Sequence, residues 1–305
     1  MRNALPYIAG FGFATIFGFS FMFTRGALEH IDPFHFLGLR FATAVAVLAL
    51  LRAVKLIKLS ISWADYKVLL PLAIFQPLLY FSAETMGVQM TSSSQAGMMI
   101  AVIPIFVTIL AAVVLKEKPN PGQIPFILAS VGGVFFIMAM QNQNGLAGNQ
   151  LGTLLLLGAV LAGACFNIAS RHASLSYTPL QTTWIMMVVG AVAFNTIAVG
   201  QSMAAETLPL FFAPLVQVWP AVLYLGTLSS VGAFFLINYS LSKLTATQSS
   251  VFANVTTIIS ILAGVTFLNE PFHWFHAVGA LAILMGVWGT NRFAKSTITE
   301  LKESA

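Results

Sequence analysis

Glu84 places a carboxylate inside the apolar run PLLYFSAETMGVQM (77–90), and Gln76, Tyr80 and Glu84 follow one another at four-residue intervals. On a helix this spacing puts an amide, a phenol and a carboxylate on one face. In lipid such a stripe must face protein or a water-filled cavity, because hydrocarbon offers no hydrogen bonds. Arg40 is the other ionisable residue deep in an apolar run. Each of the two lies seven residues from the end of its run on the same side, about 10 Å deep at 1.5 Å per residue. Two readings follow. Arg40 and Glu84 form a helix-pinning ion pair, because an unpaired buried charge is strongly destabilising. Alternatively, Glu84 binds a proton in exchange for a ligand.

The elements that carry these groups must be membrane spans. Of 305 residues, 58% are hydrophobic and 8% charged, whereas soluble domains carry about 25% charged residues. Ten apolar runs recur along the chain: 5–28, 33–52, 67–89, 93–115, 121–140, 150–172, 179–200, 214–240, 245–267 and 272–292. Their length suits helices, and they lack the period-two alternation of barrel strands. The first run is too long for the apolar core of a secretory signal and reads as an uncleaved span. With the N-terminus inside, inner segments collect most of the Lys and Arg, among them Arg52, Lys55, Lys58, Lys116, Arg171 and Arg292, while Arg25 stands at the outer side. This is the positive-inside pattern, so both termini are expected in the cytoplasm of a multi-pass cell-membrane protein. The basic pI of about 9.5 does not indicate a nucleic-acid partner, since the cations are scattered through short loops. The single Cys165 excludes an internal disulfide.

The chain also contains itself twice. FVTILAAVVLKEKP (106–119) matches IISILAGVTFLNEP (258–271), with Gln95 on Gln248, Glu117 on Glu270 and Gly133 on Gly286, all at an offset of 153. Thr91 with Thr245 fits 154, and TRGALEHIDP (24–33) matches SRHASLSYTP (170–179) at 146. Residues 1–142 and 148–293 therefore read as two five-helix repeats, followed by a cytoplasmic tail at 294–305. An odd number of spans inverts the second repeat, the plan of many secondary transporters. Arg40 falls on Met186, and Glu84 on Asn238 or Ile237, so the second repeat lacks both charges together.

FGFSFMFTRGAL (17–28), GLRFATAVAVLALL (38–51), residues 83–119 and NYSLSKLTATQSSVFANVTTIISILAGVTFLNEP (238–271) resemble, in order, spacing and duplication, an EamA-type member of the drug/metabolite transporter superfamily. The resemblance covers essentially the whole chain. It implies an all-α bundle of ten helices around a central cavity lined mainly by spans 1, 3, 4, 6, 8 and 9, and export of small metabolites or drug-like compounds. Phe17 stands where the family often has Trp, so an aromatic wall is kept without an indole donor.

Cavity candidates on those spans, besides Gln76, Tyr80 and Glu84, are Phe17, Ser20, Phe21 and Thr24 on the first; Ser94 and Gln95 on the fourth; Asn167 on the sixth; Asn238 and Tyr239 on the eighth; Gln248 and Asn254 on the ninth. Amides and hydroxyls fix the polar atoms of a ligand and aromatics supply apolar contact. Each alone is more often a packing residue. Pro104 in the fourth span frees a backbone carbonyl and marks a bend or hinge, while the ninth has Thr257 and Ile258 there. Glu117 and Glu270 read as helix-end contacts. His273 and His276 lack a third ligand for a metal, and no metal or other cofactor is expected. Ala129/Gly133 and Ala282/Gly286 are small-xxx-small pairs that serve close packing within the chain or across a homodimer. No Walker-type phosphate loop occurs. The expected function is secondary transport of a small neutral, zwitterionic or amphipathic molecule by alternating access. Export is the direction implied by the resemblance, with import or facilitated diffusion as the variants. A membrane-embedded enzyme would need a catalytic constellation at membrane depth, and a scaffold would not need inverted repeats.

Overall fold

A computed structural model describes residues 4–91, 93–117, 119–143, 149–267 and 272–293. The described residues contain helices and turns and no strand. The helices are α1 (Leu5–Ala27), α2 (Pro33–Ala53), α3 (Trp63–Met90), α4 (Ser93–Ile100), α5 (Ile103–Leu115), α6 (Ile124–Gln143), α7 (Gln150–Ala173), α8 (Pro179–Ala204), α9 (Leu215–Lys243), α10 (Ala246–Phe267) and α11 (Trp274–Arg292). Seven of these, α1, α2, α3, α7, α8, α9 and α10, are long and apolar enough to cross a membrane. Their lipid-facing sides keep large side chains such as Leu154, Val192 and Trp219 exposed. Such a chain is a multi-pass membrane protein.

Local chemistry sets the helix boundaries. α3 starts at Trp63, earlier than the apolar run suggests, because Ser62 and Asp65 form a capping box: Asp65 Oδ2 accepts from Ser62 N at 2.7 Å and Ser62 Oγ from Asp65 N at 3.4 Å. Proline opens α2 and α8, where its missing N–H removes a donor that would be unpaired anyway.

Three of the long elements are interrupted in the interior. In α3 the backbone leaves helical geometry at Gln76 (φ −149°, ψ 116°), beside the cis Gln76–Pro77 bond. The run at 93–115 divides at Ala101–Val102, with Pro104 in the first turn of α5. The third break, at Val251–Phe252 in α10, has no proline to announce it. There Ser250 Oγ donates to Thr247 O at 3.0 Å and the Val251 N–Thr247 O bond stretches to 3.4 Å. A serine hydroxyl competing for the same carbonyl loosens the ladder. α9 instead widens into a π-helical stretch at Leu225–Ala233.

α1 packs against α10 and α9, α2 against α8 and α9, α3 against α7, and α6 against α11. The small residues of the last pair are consumed within the chain. A Cβ on Gly133 would stand 2.8 Å from Gly279 O and 3.0 Å from Ala282 Cβ, while Gly286 lies against Ser130 and Phe126 O. Ala129, by contrast, is exposed, so it is Ser130 and Gly133 that form the close face on α6.

Candidate functional site

The interruptions surround one central cavity of about 60 Å³. α1 contributes Phe13, Phe17, Ser20 and Phe21; α3 contributes Gln76, Tyr80, Phe81 and Glu84; and Arg40 enters from α2. Ile100 and Ile103 flank the α4–α5 break, and Ser250 and Ala253 flank the α10 break. Gly163 and Asn167 on α7, Ile237 on α9 and Thr256 on α10 complete the wall. The lining helices are the spans named by the family resemblance, with Arg40 added from α2.

Aromatic rings hold the apolar side in shape. Phe234, fully buried, meets Phe17 at 5.3 Å, Phe81 at 5.9 Å and Phe166 at 6.0 Å between centroids, all edge-on. Edge-to-face pairs of this kind fix ring orientation beyond simple burial. Gly163 leaves room for the wall opposite: a Cβ there would stand 3.0 Å from Ile103 Cδ1 and 3.3 Å from the Tyr80 ring.

The polar side differs from the expected arrangement. Arg40 and Glu84 are 1% and 3% exposed and line the same cavity, yet no ion pair joins them within 4.0 Å. Among the described residues the ion pair that forms is Arg171–Glu117. The Arg40 guanidinium donates instead to Ser230 Oγ through Nε and to Ser229 Oγ through Nη2, each at 2.9 Å. It also stacks over the Phe81 ring, 4.2 Å from its centroid. Both serines belong to the π-helical stretch of α9, whose extra residue turns two adjacent hydroxyls toward α2. Hydroxyls displace the carboxylate as the partner because they reach the guanidinium at hydrogen-bond distance and carry no charge to desolvate.

Glu84 accepts one hydrogen bond, from Thr85 Oγ1 at 3.1 Å. The Tyr80 hydroxyl and the Gln76 amide make none among the described residues, and Asn167 Oδ1 is buried without a partner while its Nδ2 donates to Gly163 O at 2.8 Å. The i, i+4 relation of Tyr80 and Glu84 holds on a continuous helix, but Gln76 sits at the break and reaches the cavity by the bend. All three residues of the polar stripe line the cavity, Tyr80 and Glu84 from one helix face and Gln76 by way of the bend.

The other candidates divide. Phe17, Ser20 and Phe21 face the cavity, and Ser20 Oγ donates to Ser229 Oγ at 3.0 Å, extending the hydroxyl network that holds Arg40. Thr24 is fully buried away from it with Oγ1 unpartnered. Asn238 is consumed in packing: it accepts from Ser170 Oγ at 2.6 Å and donates to Thr183 Oγ1 at 3.0 Å. Tyr239 stacks with Phe235, 6.5 Å between centroids, off the cavity wall. Gln248 caps α10, its Oε1 accepting from Thr245 N at 3.2 Å. Asn254 Nδ2 bonds Ser130 Oγ and ties α10 to α6. Pro104 is buried behind the α4–α5 break. The side chains of Ser94 and Gln95, and Glu270 as a whole, lie outside the described residues.

Ser229, Ser230 and Thr256 were missed by sequence reasoning because a hydroxyl in an apolar helix usually satisfies itself on the i−4 carbonyl. The sequence signal for them is the 153–154 offset between similar stretches, at which Gln76 falls on Ser229 or Ser230 and Ile103 on Thr256.

A multi-pass helical bundle with a mixed polar–aromatic chamber between broken helices has the form of a membrane transporter. The model of the EamA-like transporter family matches residues 4–139 and 150–292, and the chain belongs to that family, within the drug/metabolite transporter superfamily. It is 39% identical over 287 residues to the uncharacterized transporter YcxC of Bacillus subtilis (strain 168), covering 93% of this chain and 92% of that one. It is also 23% identical over 197 residues to the probable terminal-alkyne amino-acid exporter of Streptantibioticus cattleyicolor, covering 65% of this chain and 63% of that protein. A solved crystal structure superposes with a TM-score of 0.71 at 15% identity, over 96% of this chain and all of the other, which establishes similarity of fold.

Proposed function

We propose that the protein exports a small zwitterionic, amphipathic metabolite across the cell membrane by alternating access. The carrying observation is that Arg40 and Glu84 line one aromatic cavity without pairing with each other. Burying two opposite charges without direct contact is costly, and a ligand that carries both charges offsets that cost. Its anionic group faces Arg40, which Ser229 and Ser230 hold in place, and its cationic group faces Glu84. Phe13, Phe17 and Phe21 take the apolar part. A phosphorylated ligand would call for clustered cations, and Arg40 is the cation of the lining. The amino-acid exporter named among the relatives carries a ligand of the same zwitterionic kind. Export is the direction the family resemblance implies.

The architecture that serves this function is a bundle of ten spans in two inverted five-helix repeats, 1–142 and 148–293, with both termini in the cytoplasm. The cavity supports this reading in its own register. At the 146 offset Phe17 falls on Gly163 and Phe21 on Asn167; at 153 Ile100 falls on Ala253 and Ile103 on Thr256, and all eight residues line the wall. The α3 break at Ile74–Leu79 likewise falls on the π-helical stretch of α9.

Reconstitution into liposomes tests the proposal, with zwitterionic, purely anionic and purely cationic compounds of matched apolar size, with and without a pH gradient. Selective zwitterion flux is expected, lost in Arg40→Gln. Equal flux of a matched cation would overturn the two-charge reading. Glu84→Gln that leaves a proton-dependent flux unchanged would exclude coupling through Glu84.

A further inference from the structure

An arginine ties neighbouring helices together one helical turn beyond the cavity at each end. Arg171 Nε meets Glu117 Oε1 at 2.7 Å, and Nη1 donates to Leu241 O at 3.1 Å. The second carboxylate oxygen of Glu117 accepts from Ala246 N at 3.0 Å. This clasp joins the segment after α5 to α7, to the end of α9 and to the start of α10. Each of the last three helices carries a cavity residue four positions away: Asn167 before Arg171, Ile237 before Leu241, Ser250 after Ala246. Four residues are about 6 Å of helix, so the clasp is the layer directly adjoining the chamber.

The opposite end repeats the construction. Arg25 Nη1 donates to Val88 O at 3.1 Å and to Gln89 O at 2.5 Å, joining α1 to α3. Arg25 follows the cavity residue Phe21 by four positions, and Val88 follows Glu84 by four. Arg25 and Arg171 are partners at the 146 offset, and Val88 and Leu241 at 153. The two ends differ in strength. Arg171 is charge-paired and together with Glu117 joins four segments, with the two side chains only 14% and 17% exposed. Arg25, among the described residues, engages backbone carbonyls on one neighbour.

We infer that these arginines are the latches of the two ends of the pathway, and that the Glu117–Arg171 ion pair holds its end shut. Opening that end requires Arg171 to leave Glu117 and Leu241 O together, while the Arg25 end opens by giving up carbonyl bonds alone. A guanidinium–carboxylate pair adds mutual charge attraction that guanidinium–carbonyl bonds lack, so releasing the pair favours access at its own end, at the expense of the other as alternating access requires.

The test is accessibility of the chamber, which does not depend on what the chamber carries. In a Cys165→Ser background, Ala253→Cys places one thiol on the cavity wall. Its modification by a membrane-impermeant, negatively charged methanethiosulfonate is timed separately from each face, in right-side-out and inverted vesicles. Glu117→Gln is expected to speed modification about tenfold from the face that holds Arg171 and to slow it from the other face. Arg25→Gln is expected to do the reverse. Arg171→Lys, which keeps the charge and loses the fork, should give an intermediate rate from its own face and controls for misfolding of the neutral variants. Equal acceleration from both faces, or no change with Glu117→Gln while Arg171→Lys folds normally, would overturn the assignment.

Discussion

Replacing Ser229 and Ser230 by alanine asks what holds Arg40 in the membrane. The guanidinium makes two hydrogen bonds of 2.9 Å to these hydroxyls, and bonds to a charged donor contribute roughly 1.5–3 kcal/mol each. Ser229 also accepts from Ser20 at 3.0 Å, a neutral bond worth about 1 kcal/mol. Ser229→Ala should therefore destabilise by about 2.5–4 kcal/mol and Ser230→Ala by about 1.5–3 kcal/mol, each toward the lower end where cavity water replaces the lost hydroxyl. The double variant should fall short of the sum, since both substitutions act on one guanidinium. Glu84→Gln should cost less than either, below about 1 kcal/mol, because relief of carboxylate desolvation offsets the lost attraction to a guanidinium it does not touch. Reversible unfolding in mixed micelles measures all four. A Glu84→Gln cost larger than both serine variants would show that Arg40 depends on the carboxylate, and the hydroxyl account would fail.

Tyr80→Phe should weaken ligand binding severalfold and change stability by less than about 0.5 kcal/mol, since no described protein group uses the hydroxyl; titration against thermal unfolding separates the two. Gly163→Val should abolish transport at a stability cost of about 1–3 kcal/mol, because its methyls enter space bounded by Ile103 and Tyr80; flux and unfolding of the same preparation check it. Asn238→Ala should cost about 1–3 kcal/mol by orphaning Ser170 and Thr183, with ligand affinity unchanged in a binding assay. Gly286→Val should separate α11 from Ser130 and Phe126 on α6 and cost about 1–3 kcal/mol, read as a lowered unfolding midpoint.

Much of the scaffold was legible in the sequence, because hydrocarbon imposes a simple rule. A span must be apolar over about 20 residues and must bond its own backbone. The expected span starts at Pro33 and Pro179 coincide with helix starts set by proline at both, and by the Thr178 cap at the second. Trp63 was missed because Asp65 interrupts the apolar signal while serving the cap that begins the helix. The Ala101–Val102 break could be expected from Pro104, but the Val251–Phe252 break could not, as a serine that competes for a carbonyl looks like any other serine in a helix.

Side-chain partners were not legible. Depth along two helices made Arg40 and Glu84 neighbours, and electrostatics made them a pair. Depth carries no rotation, though, and the π-helical stretch of α9 brought Ser229 and Ser230 to the guanidinium first. Asn238 and Asn167 are equally polar and sit on helices that both line the cavity, yet one is spent on Ser170 and Thr183 while the other keeps a free oxygen. By itself the sequence determined that this chain lives in a membrane and places two opposite charges within apolar runs, since composition and ionisable residues are local properties. Only the tertiary structure decided that those charges share an aromatic chamber without touching, because contact depends on helix rotation and on breaks that turn one side chain aside for another.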